Sequence, residues 1–115
     1  MSTNFDAIDR MAIQTICETY DECSILMSQY LNSTILRREV SPVGWYTYFQ
    51  VNDSCERLSK TKVPIGNAVA NVENMEVGIG FMLWIKDGML CCLEAFTYGD
   101  EYLPEAIEII SLTNT

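Results

Sequence analysis

The stretch Ile79-Gly80-Phe81-Met82-Leu83-Trp84-Ile85-Lys86, followed by Asp87-Gly88 and then by Met89-Leu90-Cys91-Cys92-Leu93-Glu94-Ala95-Phe96-Thr97-Tyr98, decides the fold. Two apolar runs rich in β-favouring residues flank a dipeptide that readily adopts positive φ at both positions. This pattern predicts a β-hairpin closed by a two-residue type I′ turn. Such a turn sets a register in which Lys86 faces Met89, Trp84 faces Cys91, Met82 faces Leu93 and Phe81 faces Glu94. Met82, Trp84, Cys91 and Leu93 then share one face. Ile79, Phe81, Leu83, Ile85, Leu90, Cys92 and Phe96 share the other. Both faces are apolar, so these are expected to be central strands, covered by helix on one side and by further sheet, a subunit or a partner on the other.

Outward from the hairpin, Gly44-Trp45-Tyr46-Thr47-Tyr48-Phe49-Gln50-Val51 alternates aromatic and β-branched residues and predicts a strand, with one aromatic row inward and the other free to be exposed. Thr34–Val40 and Asn67–Val72 are further strand candidates. Asn52–Gly66, polar and holding Arg57, Lys60, Lys62 and Pro64, reads mostly as a loop or a weakly held strand. Glu105–Leu112, after Pro104, fits a last strand or a short helix. From Phe5 to Leu31, apolar residues recur at spacings of three and four, the mark of an amphipathic helix. Thr3 or Asn4 caps its start, and Asp6 and Asp9 lie where negative charge suits the helix N-terminus. One helix of that length would run about 40 Å, so a break near Asp21 is expected. The fold class is α+β: an N-terminal helix or helix pair packed on a mainly antiparallel sheet with a central hairpin, in a single domain over residues 1–115.

Composition narrows the functional classes. Sixteen acidic and seven basic residues give a net charge of −9 without any histidine. That balance argues against direct nucleic-acid binding, which relies on Lys and Arg displacing counterions. It also leaves no Ser-His-Asp or Cys-His mechanism and no imidazole-held metal, and no cofactor is expected. Gly78-Ile79-Gly80 lies in a strand pattern without a phosphate-binding helix, and reads as a close backbone approach or a bulge. The five cysteines, Cys17, Cys23, Cys55, Cys91 and Cys92, contain no CxxC pair, so reduced thiols and a cytoplasmic setting are expected. The first residues lack a signal-peptide pattern, and no apolar run has the length of a membrane span.

The charge is unevenly spread: −3 over residues 1–40, +1 over 41–62 and −7 over 63–115. An acidic surface of this kind attracts basic proteins and speeds their encounter, or serves solubility alone. Tyr98-Gly99-Asp100-Glu101-Tyr102-Leu103-Pro104 mixes acidic and aromatic residues, a composition found in interfaces and also in solvated loops. Glu94, inside an apolar strand, has two readings. Buried without a partner it has the character of a general acid, whereas a Tyr hydroxyl or basic side chain beside it makes it structural.

Three segments carry a resemblance: Val43-Gly44-Trp45-Tyr46-Thr47-Tyr48-Phe49, Gly80–Gly88, and Leu93-Glu94-Ala95-Phe96-Thr97-Tyr98-Gly99-Asp100-Glu101. Over about residues 34–104 the chain resembles small acidic bacterial proteins that include immunity proteins of contact-dependent growth inhibition and polymorphic toxin systems. The resemblance implies a non-enzymatic, stoichiometric role: binding a cognate toxin domain in the cytosol and blocking its active site or substrate groove. A basic nuclease is the expected partner. Glu94, Asp100, Glu101, Glu105 and Glu108 are the candidate charges, and Tyr98 and Tyr102 the candidate anchors. A small carboxylate enzyme or ligand-binding domain using Glu94, and a structural homodimer through the uncovered sheet face, remain alternative readings.

Overall fold

The computed structural model describes residues 3–59 and 64–114. Lys60 and Lys62, assigned above to the polar loop, lie outside the described residues. Two helices, α1 (Phe5–Cys17) and α2 (Cys23–Leu31), precede six strands: β1 (Ser33–Ser41), β2 (Gly44–Val51), β3 (Pro64–Val72), β4 (Ile79–Lys86), β5 (Met89–Thr97) and β6 (Ile109–Asn114). The strands form one sheet in the order β1-β2-β5-β4-β3-β6, with every neighbouring pair antiparallel. The hairpin occupies the two middle positions, and the fold is α+β.

Asp87 and Gly88 both have positive φ, 55° and 74°, as a type I′ turn requires. The register set by the turn holds for two pairs only. Lys86 faces Met89 and Ile85 faces Leu90, and then a bulge takes up Cys91 so that Trp84 faces Cys92. Beyond it Leu83 faces Leu93, Met82 faces Glu94 and Phe81 faces Ala95. One inserted residue exchanges the faces of everything that follows it on β5. Leu93 enters the core, and Cys92, Glu94 and Phe96 turn to the other side.

The helical segment breaks as expected. Asn4 caps α1, its Oδ1 accepting the Ala7 N–H at 3.1 Å. The cap position of α2 is Glu22, whose carboxylate accepts the Ser59 N–H at 3.0 Å and the Ser59 hydroxyl at 2.7 Å. Between the helices, Cys17 and Cys23 are joined by a disulfide. This corrects the expectation of five reduced thiols: the turn brings the two Cα atoms to 5.0 Å, within bonding range. The expected loop gives way to strand at Pro64, the first residue of β3, where its missing N–H costs no ladder bond. Of the two readings after Pro104, the strand is the one found, beginning at Ile109.

Both helices cover the same face of the sheet. Ile8, Ala12, Ile13, Ile16 and Leu26 pack against Trp45, Phe49, Phe81, Leu83 and Leu93 in a single core. Two buried polar groups fasten the layers together. Asp9, 1 % exposed, accepts from Trp45 Nε1 at 2.9 Å, Thr47 Oγ1 at 2.7 Å and Arg38 at 2.8 Å. Gln29, fully buried, donates to the carbonyls of Glu56 and Gly88 and accepts the Leu90 N–H at 2.8 Å, pinning the hairpin turn to α2. At both, a polar side chain of the helix layer is satisfied by groups outside that layer.

Candidate protein-binding face

Alternation along the strands sorts side chains between the helix-covered face and its opposite. On β2, Trp45, Thr47 and Phe49 are buried beneath the helices, while Tyr46 and Tyr48 point the other way, as the alternating row predicts. Met82 and Trp84 of β4 and Cys92, Glu94 and Phe96 of β5 join them on this outer face. Tyr46 is 42 % exposed and Trp84 38 %. Neither helix packs on this side.

Glu94 stands near the middle of the face, between Tyr46 on β2 and Met82 on β4. Its Oε1 accepts from Trp84 Nε1 at 3.1 Å and its Oε2 from the Tyr46 hydroxyl at 3.3 Å. The expected position opposite Phe81 and inside an apolar environment is thus corrected by the Cys91 bulge. A Tyr hydroxyl stands beside Glu94, as one of the two readings expected, and an indole N–H joins it. The Glu94 charge, followed by partial burial and the hydrogen bond, raises the Tyr46 phenol above its ordinary value. Burial, aided by Cys91 and Glu94, pushes the Cys92 thiol up to about 12. At the edge of the same face Arg37 lies 3.9 Å over the Tyr48 ring and 3.6 Å from Glu39.

The remaining candidate residues gather at one end of the sheet. There the β1–β2 turn, the β3–β4 connection (residues 73–78) and the β5–β6 connection (residues 98–108) meet. Glu73 N–H donates to the Glu108 carbonyl at 2.9 Å, and Leu103 N–H to the Pro42 carbonyl at 2.8 Å. Glu101 reaches back to accept the N–H groups of Glu76 at 2.8 Å and Val77 at 3.1 Å. These backbone donors, the Glu76 amide foremost, lower its pKa. Glu101 is therefore a clamp between connections as well as a surface charge. The two connections carry Glu73, Glu76, Asp100, Glu101, Glu105 and Glu108 and no Lys or Arg. Asp100, Glu105 and Glu108 are exposed, and Tyr102 is 75 % exposed.

Glu94 is not part of that cluster, but Phe96 and Tyr98 link the two. Their rings meet edge to face at 5.5 Å. Both lie over Gly80, where an added Cβ would come within 2.6 Å of the Phe96 ring and the Tyr98 hydroxyl. Gly80 is thus a close-approach site for these rings, and Gly78 one for the Ala70 backbone. The seven candidate residues form an acidic, tyrosine-bearing end and one carboxylate set into the adjoining aromatic face.

Sequence reasoning gave Asp9 only a helix-terminus role, left Trp84 in an apolar row and passed over Arg38. Asp9 falls in register with Ala12, Ile13 and Ile16 on the apolar stripe of α1, a spacing that marks it as inward-facing. Arg38 answers it from β1 and also holds Asp6 at 2.8 Å. Burial works against the Arg38 charge, but hydrogen bonds to Asp9 and Asp6 outweigh it and raise the pKa. A cleft of about 250 Å³ opens beside Asp9, Arg10, Tyr30 and Phe49. The Asp9 oxygens, however, already accept from three donors within the fold, so the geometry gives this carboxylate a structural task. Trp84 was legible only as part of an apolar row, because the bulge that brings Glu94 beside it has no sequence mark. No helix among the described residues is long and apolar enough to cross a membrane. Compared with protein-family models, with curated proteins and with solved structures, the chain matches none.

Proposed function

We propose that the protein is a stoichiometric inhibitor of the immunity type, which binds a basic bacterial toxin domain, most concretely a nuclease, and blocks its active site or substrate groove. The observation that carries this reading is the sheet end built from residues 73–78 and 98–108, with six carboxylates and no cation. A surface of one sign steers an oppositely charged protein into productive encounter. Exposed Tyr102 beside it, and the aromatic sheet face that continues from Tyr98, supply apolar contact area of the kind that anchors interfaces. The same end offers carboxylates in place of the phosphates a nuclease groove is shaped to hold. Neutralisation takes place in the cytosol, where a nuclease meets its substrate.

The test is to mix the purified protein with the toxin domain encoded beside its gene. The reading expects a one-to-one complex on size exclusion and a matching loss of toxin activity. A toxin that stays fully active and elutes separately would overturn it.

A further inference from the structure

We infer that Glu94, Tyr46 and Trp84 form a docking site for one arginine side chain of the protein partner. This inference rests on the proposed binding of a basic protein and specifies one contact within it. Each Glu94 oxygen accepts a single neutral donor, at 3.1 and 3.3 Å. A carboxylate has about four acceptor positions, so both oxygens retain capacity. Among the described residues the ion pairs are Arg37 with Glu39 and Arg38 with Asp6 and Asp9. None supplies Glu94 with a cation, although it sits half-buried among rings.

The same face holds a filled version of this arrangement. Across β1 and β2, Glu39 and the Tyr48 ring receive the chain's own Arg37, at 3.6 Å from the carboxylate and 3.9 Å above the ring. One strand further in, Glu94 has two rings beside it, Tyr46 and Trp84, and no arginine. Indole is the strongest cation–π partner among side chains, and both rings keep open surface. A guanidinium fits better than an ammonium, because its planar fork presents two donors to a carboxylate while its face lies along a ring. Charge complementarity also selects the occupant. A second copy of this chain, at net charge −9, would bring carboxylate against carboxylate, whereas a basic protein brings the missing cation.

The probe is Nα-acetyl-arginine amide, titrated into the millimolar range suited to a single exposed ion pair, with the two tryptophan indole N–H resonances followed by NMR. The expected result is a saturable shift of the Trp84 resonance with Trp45, 1 % exposed, unmoved. The isosteric citrulline compound gives no shift. Glu94→Gln abolishes the response, and Asp21→Asn, which removes one charge from the helix layer, retains it. The inference is overturned by the absence of a saturable Trp84 shift, by an equal shift with citrulline, or by an unchanged response in Glu94→Gln. No toxin enters this titration. Its failure removes the arginine site alone, and the inhibitor reading is judged separately by complex formation.

Discussion

A carboxylate in a β-sheet takes its character from the residues opposite it on the neighbouring strands, and here that neighbourhood turns on one inserted residue. With Cys91 absorbed in the bulge, Glu94 lies between Tyr46 and Met82 and accepts from an indole and a phenol. Without the bulge it would lie opposite Phe81 on the core side. The sequence carries the polarity of Glu94 plainly, but bulge position depends on how two strands twist against their neighbours, which a local pattern does not encode. Asp9 shows the opposite case, since its place on the apolar stripe of α1 was there to be read. It is buried with three donors, one of them the Arg38 guanidinium, and its removal leaves the Trp45 indole and the Thr47 hydroxyl without their acceptor and Arg38 with only the exposed Asp6. Asp9→Ala is therefore expected to lower unfolding free energy by about 3 kcal/mol, measured by urea denaturation. Asp9→Asn should cost less, because it keeps an acceptor for the indole or the hydroxyl. A loss under about 1 kcal/mol for the alanine variant would show that Arg38 and Trp45 find other partners.

The elements were legible in proportion to how local their causes are. The central hairpin follows from Asp87-Gly88 and its flanking apolar runs, and β2 from its alternating aromatics, and both stand within a residue of the expected bounds. Strand β3 begins earlier than composition suggests. Pro64 and Gly66 read as loop residues, and it is pairing with Trp84 and Leu83 that draws their segment into the sheet. The helix pair was expected from length and periodicity, but its tether was not. Cysteines six apart carry no signature of pairing, and only the tight turn between α1 and α2 brings them together. A loop this short is constrained in the unfolded chain by an amount worth about 2 kcal/mol. Replacing Cys17 and Cys23 together by Ala should lower stability by about that amount and leave the hairpin amides as protected from exchange as before. If the double variant loses hairpin protection too, the helices and the sheet fold as a single unit on which the bond has a wider hold.

At the scale of the whole molecule, charge and apolar surface are arranged rather than scattered. One face of the sheet is closed by helices. The other presents Tyr46, Tyr48, Trp84 and Glu94 to solvent and runs through Phe96 and Tyr98 into an end built of carboxylates. The −7 excess after residue 62 could be read from the sequence, but its gathering could not. The β3–β4 and β5–β6 connections lie far apart in the chain, and the backbone hydrogen bonds that knit them follow only from strand order. Glu101 illustrates the division of labour, with its carboxylate committed to the Glu76 and Val77 amides, whereas Asp100, Glu105 and Glu108 are exposed. The most direct measurement of the central claim is the association rate with the basic toxin domain as ionic strength rises. It compares the native protein with the Asp100→Asn, Glu105→Gln, Glu108→Gln triple variant. Steering by the acidic end predicts a rate that falls about tenfold or more with salt, a variant already slow at low salt, and little change in dissociation. A rate indifferent both to salt and to the three substitutions would contradict it.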